Sequence, residues 1–303
     1  MLCLIILGFL CFYPIYGLYF ERYLYIPFKL SSSMLGKRTH EFLHRYHIIE
    51  KIVAHAKKKP KRIVFPEGAD ERILRGAHIA AAEGICYPIL IGDPKKIESA
   101  AHKHNISLKG ITIVVHSEKK YADDLYKLRK EKGVSKKEAI ELLKDPMYHA
   151  AMMVKTGNAD GIVAGATWPS GNTLLPALQI AGTARNHRAS SYFIMILEKK
   201  VLFFADCAFN VNPNAEELAE IAISTAASAK KFGITPRIAF LSFSTKGSSH
   251  NPVLDKIVAA TKIVKKRTKY IVDGELQVDA AIVPSVAKMK APKSPLKGHA
   301  NVL

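Results

Sequence analysis

A run of hydroxyl-bearing residues with one lysine and one glycine follows a short apolar segment, residues 237–241, whose composition is typical of a buried strand. Hydroxyl groups, an ammonium and backbone N–H groups turned inward by a glycine bind anions, most often phosphate, when they follow a strand. The run therefore predicts an anion site, with an ordinary polar turn as the alternative. It lacks the first glycine of the nucleotide-binding phosphate loop. The residues concerned are Ser244, Thr245, Lys246, Gly247 and Ser248.

A second polar loop, residues 168–173, leads into a predicted helix near Leu174. Its hydroxyls include Ser170 and Thr173, and the start of the helix adds backbone N–H groups with a partial positive charge. The loop is thus a second candidate anion site. The alternative is an ordinary helix cap, in which Ser170, Asn172 or Thr173 bonds to the first turn.

The elements that must position these loops follow a regular alternation in the first half of the chain. Short apolar strands at 62–65, 87–91, 111–115 and 161–164 alternate with helical patterns, which predicts a parallel sheet with helices on both faces, an α/β fold. Ligands in such sheets lie beyond the carboxyl ends of the strands. Those ends carry Pro66-Glu67-Gly68, Gly165-Ala166-Thr167 and the loop after residue 241.

The second half of the chain predicts a hairpin, two helices and a further turn. Residues 192–197 and 201–205 form the hairpin, and Asn214 with Glu217 forms a capping box that opens a helix ending near Gly233. A basic helix follows from about Pro252. Further predictions are a tight acidic turn at 273–277, a strand at 280–283, and the start of a buried strand at 301–303.

Composition bounds the partners of the chain. There are 45 Lys and Arg against 26 Asp and Glu, a formal net charge of +19, which favours anionic ligands. The basic runs have no interleaved aromatics and no nucleic-acid-binding signature, so nucleic acid is not expected. The four cysteines form no Cys-x-x-Cys pair. Neither a metal site nor a disulfide framework is therefore predicted.

The amino terminus allows two interpretations. Residues 1–20 are uncharged and long enough to span a bilayer, and the basic residues that follow favour a cytoplasmic C-terminal side. In the other interpretation translation starts at Met34. A cytoplasmic location is expected in both cases, with a membrane anchor only if residues 1–33 belong to the protein.

Several long segments, in order, resemble the signatures of phosphate acetyltransferases. They are 128–133, 173–180, 242–248, 273–281, 290–295 and 298–302. The resemblance implies two α/β domains with a cleft between them, similar to isocitrate and isopropylmalate dehydrogenases. In this scheme residues 1–40 are an extension, 41–190 the first domain and 191–303 a second domain that lacks its C-terminus.

The resemblance also implies a reaction of acetate metabolism, acetyl-CoA plus phosphate giving acetyl phosphate plus CoA. Coenzyme A is a substrate, no tightly bound cofactor is expected, and a homodimer is implied. Arg129 matches an arginine that lines the cleft and contacts phosphate or CoA, with a surface helix charge as the alternative. Ser170, Thr173 and the 244–248 loop match binding segments. Leu175 stands where the family usually has an arginine that holds acetyl phosphate, and Asp273 and Glu275 are expected to be structural turn residues.

The family pattern continues past the position of Leu303 into a segment with a further arginine, a Ser-Arg pair and the aspartate regarded as the catalytic base. No catalytic residue is therefore assigned within the chain, and little activity is expected if 303 residues are the whole protein. The alternatives are a phosphate butyryltransferase and a non-catalytic paralogue that binds CoA or another polyanion.

Overall fold

The computed structural model describes residues 47–183, 188–197 and 200–303. They divide into two compact units, one ending at Gly182 and one beginning at Thr183. Within these ranges no helix is both long and apolar enough to cross a lipid bilayer. The segment for which a membrane anchor or an upstream translation product is predicted, residues 1–33, lies outside the described residues.

The first unit is built around a four-stranded, wholly parallel sheet in the order β3-β2-β1-β4. Its strands are β1 (Lys61–Phe65), β2 (Cys86–Ile91), β3 (Thr112–Val114) and β4 (Gly161–Ile162). Its helices are α1 (His47–Lys58), α2 (Glu71–Ala82), α3 (Pro94–Lys103), α4 (Ala122–Arg129), α5 (Lys136–Leu142), α6 (Pro146–Lys155) and α7 (Ser170–Ala181), with a 3₁₀ turn at Lys130–Lys132.

Alternate residues of this sheet face two separate cores. Val64 packs with the side of the sheet that α4 to α7 cover, whereas the next residue, Phe65, packs with the side that α2 and α3 cover. This is the alternation that a strand buried on both faces requires. The predicted parallel sheet with helices on both faces is thus confirmed for the first unit.

The second unit combines an antiparallel hairpin with a parallel pair. Strand β5 (Tyr192–Leu197) pairs antiparallel with β6 (Lys200–Ala205), and β7 (Arg237–Leu241) pairs parallel with β8 (Ile271–Leu276). Val302 bridges Phe203 of β6 and Ile238 of β7, so residues 301–303 lie between the two pairs as a short strand. The helices are α8 (Ala215–Lys231), α9 (Pro252–Arg267), α10 (Val278–Ile282) and α11 (Pro284–Lys290).

Local signals in this unit account for several boundaries. The Asn214 and Glu217 side chains each bond to the other's backbone N–H, the predicted capping box at the start of α8. Asn251 caps α9 through the N–H of Val253 at 2.9 Å. The predicted hairpin is also present, with Tyr192 paired to Ala205 and Leu197 paired to Lys200.

Two predictions near residue 275 are wrong. The acidic segment 273–277 is not a tight turn, because residues 271–276 form β8, and the predicted strand at 280–283 is largely the short helix α10. The reason is tertiary packing at Gly274, where an added Cβ would lie 2.7 Å from Cβ of Phe240 and 2.6 Å from Oγ1 of Thr261. Close approach of β7 and α9 at this glycine holds the segment extended against its turn propensity.

Candidate functional site

The loop after β7 reverses the chain sharply. Lys246 and Gly247 both have positive φ, 52° and 81°, a conformation that glycine adopts freely and other residues adopt at a cost. The side chains of Ser244 and Thr245 are buried. The Ser248 hydroxyl accepts the Thr245 N–H at 3.0 Å and lies 3.3 Å from the Ser244 hydroxyl. The structure therefore brings the predicted residues 244–248 together in one tight, hydrogen-bonded turn.

Two carboxylates of the neighbouring strand β8 occupy the donors of this turn. Asp273, which is 1% exposed, accepts a hydrogen bond from Nζ of Lys246 at 2.5 Å and lies 3.5 Å from Nζ of Lys265. Glu275 accepts the N–H of Gly247 at 2.7 Å and the hydroxyl of Ser244 at 3.2 Å. The Lys246 ammonium and the Gly247 N–H, which were predicted to bind an anionic ligand, are thus bonded to carboxylates of the protein.

These contacts lower the pKa values of both acids. Burial alone raises the pKa of Asp273, but hydrogen bonds from Lys246 and Ser294 and the charge of Lys246 outweigh it. Burial likewise opposes the shift at Glu275, where the N–H of Gly247, backbone N–H of Glu275 itself and the Ser244 hydroxyl keep the pKa below its ordinary value. Both side chains are therefore ionised at neutral pH and balance the charge of Lys246. This arrangement favours a supporting role for the 244–248 loop.

At the strand ends of the first unit, too, a carboxylate of the protein accepts the hydrogen bonds of loop N–H groups. The buried carboxylate of Glu67, just after β1, accepts the N–H groups of Gly165 at 2.8 Å and Ala166 at 3.0 Å, the N–H of Thr167, and the Thr167 hydroxyl at 2.6 Å. Burial opposes ionisation, but the Thr167 hydroxyl and these N–H groups lower the pKa of Glu67. Three consecutive N–H groups that could bind an anionic ligand therefore already donate to the carboxylate of Glu67.

A fourth carboxylate, which was not predicted from the sequence, closes the loop after β6. Asp206 accepts the N–H groups of Ala208 at 2.9 Å and Asn210 at 3.0 Å, and it also bonds to the Ser191 hydroxyl and the Asn210 side chain. Burial opposes the shift, but these donors lower the pKa of Asp206. The available signal was an aspartate directly after an apolar strand and four residues before an asparagine.

The start of α7 differs from these closed loops. Its N-cap position is Pro169, whose side chain makes no cap hydrogen bond, and the buried Thr173 hydroxyl lies 3.5 Å from the carbonyl of Pro169. The alternative interpretation places the N-cap at Ser170, Asn172 or Thr173, but all three residues lie inside the helix. In contrast, side chains cap α2, α3, α8 and α9, the other helices of ten or more residues that directly follow a strand in the described chain.

An uncapped helix start of this length offers backbone N–H groups and the positive end of the helix dipole to an anion. The first turn of α7 carries no acidic residue. Leu175 lies in the same helix and is 52% exposed. Where the family resemblance leads one to expect an arginine, the chain thus has an exposed apolar side chain within two turns of the helix start.

Arg129 ends α4 and contacts the other end of α7. Its Nη1 donates to the backbone carbonyl of Gln179 at 3.4 Å, and its Nε is buried with no hydrogen-bond partner in the described part of the protein. The side chain is half-buried, so Arg129 is not a fully solvated surface charge. Gln179 in turn accepts a hydrogen bond from the hydroxyl of Tyr148 at 2.7 Å, a contact that no pattern in the sequence predicts.

The described ranges contain no candidate metal site and no thiol with a lowered pKa. No group of three or more His, Cys, Asp or Glu side chains there is placed to hold a metal ion. Cys86 and Cys207 are free thiols, and burial raises the pKa of Cys86 to about 11. Both thiols are thus protonated, since burial also raises the pKa of Cys207.

Comparison with known proteins gives a consistent result. The family described as phosphate acetyl/butaryl transferase matches residues 47–303. A phosphate acetyltransferase of Thermoanaerobacterium thermosaccharolyticum is 48% identical over 267 residues, which are 84% of this chain and 81% of that protein.

Two solved structures are also similar. A phosphotransacetylase from Streptococcus pyogenes has a TM-score of 0.77 at 40% identity, covering 84% of this chain and 80% of that one. A branched-chain phosphotransacylase from Enterococcus faecalis has a TM-score of 0.56 at 20% identity, with coverage of 80% and 78%, and supports the fold alone.

Proposed function

Because the chain belongs to the phosphate acetyl/butaryl transferase family, we infer that it is an acyltransferase that moves an acetyl group reversibly between coenzyme A and phosphate. In one direction the CoA sulfur attacks the acetyl carbon of acetyl phosphate. The carbon–sulfur bond forms, the bond from the acetyl carbon to the phosphate oxygen breaks, and phosphate leaves. In this direction the thiol must lose its proton, and cations or N–H groups must stabilise the phosphate.

The observation that carries this function is the 48% identity to a phosphate acetyltransferase over 84% of the chain. Such identity over most of both proteins also disfavours the non-catalytic alternative. The butyryl alternative has weaker support, since the branched-chain relative shares only 20% of its residues with this chain. CoA or acetyl-CoA and phosphate or acetyl phosphate are therefore the proposed substrates.

Within the first unit, the proposed substrate contacts are Arg129 and the start of α7 with Ser170 and Thr173. What supports them is the incompletely bonded guanidinium and the uncapped helix start. For the second unit, the proposal assigns residues 244–248 a supporting role, because Asp273 and Glu275 already engage their donors. The family resemblance further supports a homodimer in the cytoplasm.

The direct test is the rate at which the purified protein, expressed from its gene, forms the thioester from acetyl phosphate and CoA. The expected result is thioester formation far above the protein-free rate, with butyryl phosphate used less efficiently. If the protein neither forms thioester nor binds CoA, the proposed function is wrong. Binding of CoA without turnover would favour the non-catalytic alternative.

A further inference from the structure

The C-terminal turn of α7 is a point of attachment for Arg129. The last carbonyls of a helix have no partner within the helix, and a cation near them is stabilised by the helix dipole. In α7 the carbonyl of Leu178 accepts the N–H of Gly182 at 3.1 Å, while the carbonyl of Gln179 accepts Nη1 of Arg129 at 3.4 Å. One helix thus presents its uncapped start at one end and holds Arg129 at the other.

The side chain of Gln179 is itself fixed by Tyr148. The Tyr148 hydroxyl, on α6, donates to Oε1 of Gln179 at 2.7 Å, and Tyr148 is only 6% exposed. Burial and the charge of Asp145 raise the pKa of Tyr148 against the opposing charge of Arg129, so the phenol remains a donor. The order of contacts is therefore Tyr148 to the Gln179 side chain, and the Gln179 backbone to Arg129.

Arg129 depends on this attachment because little else bonds to it. Its contact to Gln179 is long, and its buried Nε has no hydrogen-bond partner in the part of the chain that the structure describes. A guanidinium in this state has donors left for an anion with two acceptor oxygens. Displacement of a substrate-binding group by about 1 Å lowers rates on the order of a hundredfold.

We propose that Tyr148 and Gln179 are positioning residues that aim Arg129 at the phosphate-bearing substrate. The proposal rests on the acetyltransferase function inferred above. Neither residue touches the substrate in this account. Tyr148 restrains the Gln179 side chain, and Gln179 sets where the guanidinium lies relative to the last turn of α7.

Removal of the Tyr148 hydroxyl is the least invasive test. Tyr148→Phe keeps the ring in its buried site and deletes one neutral hydrogen bond, for which a loss of about three- to tenfold in kcat/KM is expected. Tyr126→Phe is the matched control. Tyr126 lies on the same helix as Arg129, its ring contacts Lys136, and this contact survives the substitution. Full activity of Tyr148→Phe, in a wild type that is active, would overturn the proposal.

Combined variants separate positioning from a general structural role. In an Arg129→Gln background, Tyr148→Phe is expected to cause no further loss, and Gln179→Met combined with Tyr148→Phe is expected to cost no more than either alone. In all these variants the change in KM or kcat should concern one and the same substrate, the one that Arg129 contacts, and the melting temperature should change little. Additive losses spread over both substrates would instead show that Tyr148 only stabilises the fold.

A chemical measurement decides the point without turnover. The rate at which phenylglyoxal modifies Arg129, followed by mass of the modified peptide, is expected to rise severalfold in Tyr148→Phe and to stay unchanged in Tyr126→Phe. An unchanged rate in Tyr148→Phe would contradict the proposal. A wild type with neither turnover nor CoA binding would contradict the proposed function, while the phenylglyoxal rates would still decide whether Tyr148 positions Arg129.

Discussion

The loop after β7 in the second unit and the start of α7 in the first are both polar segments at strand ends, yet they differ in what satisfies their donors. In the former, the Lys246 ammonium and the Gly247 N–H bind Asp273 and Glu275. In the latter, the N-cap position is Pro169, whose side chain makes no cap hydrogen bond. A segment that looks ready for an anion can thus be filled by the protein's own carboxylate or be left open.

Residue types alone therefore do not identify a phosphate site. Hydroxyls, a lysine and a glycine are equally suited to support a buried acid and to bind a ligand. The deciding fact is whether a carboxylate of the same unit reaches the donors. Closed loops should therefore contribute to stability, and open ones to turnover.

The largest effect is expected from opening the closed loop. Asp273→Asn removes the buried negative charge that pairs with Lys246 and Lys265, and it should lower the free energy of unfolding by about 3 kcal/mol. The loss is no larger because the two lysine side chains are already 37% and 49% exposed, so that water solvates their charges when the carboxylate is gone. Urea unfolding measures this change. Asp255→Asn, at the exposed start of α9, is the control and should cost only a few tenths of that. A destabilisation no larger than the control's would show that the loop is not held in this way.

Acid should affect His149 and the carboxylates of the closed loops in different pH ranges. His149 of the first unit is fully buried against His116 and Tyr121, and neither ring nitrogen has a hydrogen bond of normal geometry. Burial and, next, the charge of His116 lower the pKa of His149 to about 4; the Ser117 backbone opposes this shift, and the charge of Lys120 adds the smallest contribution to it.

Because an unfolded histidine has a pKa of about 6.5, the unfolded state takes up the proton first as the pH falls. The stability is therefore fully present above about pH 6.5 and decreases by up to about 3 kcal/mol as the pH falls to about 4. His149→Phe should flatten this slope. The acids of the closed loops, whose pKa values are lowered, should act only at lower pH. An identical slope in the variant would refute this prediction.

A smaller effect, on turnover alone, is expected at Arg129. Arg129→Gln removes a charge-assisted contact worth about 1.5–3 kcal/mol, so kcat/KM should fall by about 10- to 100-fold with little change in melting temperature. The neighbouring Lys130→Gln, on the exposed 3₁₀ turn, is the matched control. Equal kinetics for the two variants would remove Arg129 from the proposed site.

The smallest effect should come from restoring an arginine beside the open helix start. Leu175→Arg introduces a charge on an exposed position of α7, where solvent weakens the contact, so the KM for acetyl phosphate should fall by only about two- to fivefold. Leu178→Arg, three residues later and also exposed, should have no such effect. A rise in KM for Leu175→Arg would mean that the leucine itself contacts the substrate.

Local patterns made much of the fold predictable. The alternation of apolar strands and helices gave the parallel sheet of the first unit, and Asn214 with Glu217 gave the start of α8. Predictions failed where a partner distant in the sequence decides the conformation. Residues 273–277 have turn chemistry, but Phe240 and Thr261 hold Gly274 in a strand.

The same limit applies to the candidate site. The residues of both loops could be found from their types, because hydroxyls and glycine after a strand are a local signal. Their hydrogen bonds could not be predicted, because the partners are distant in the sequence. Glu67 accepts a hydrogen bond from Gly165, 98 residues later, and Lys246 donates one to Asp273, 27 residues later. The contact between Arg129 and Gln179 likewise joins two helices 50 residues apart in the sequence.

The most direct test of which unit binds phosphate is calorimetric titration with inorganic phosphate of wild type, Arg129→Gln and Lys246→Met, at a temperature where all three are folded. Arg129→Gln is expected to lose about tenfold or more in affinity for phosphate. Lys246→Met is expected to bind phosphate like the wild type, although it unfolds more easily. Loss of phosphate binding in Lys246→Met with full binding in Arg129→Gln would place the anion site in the second unit and show that Arg129 does not bind phosphate.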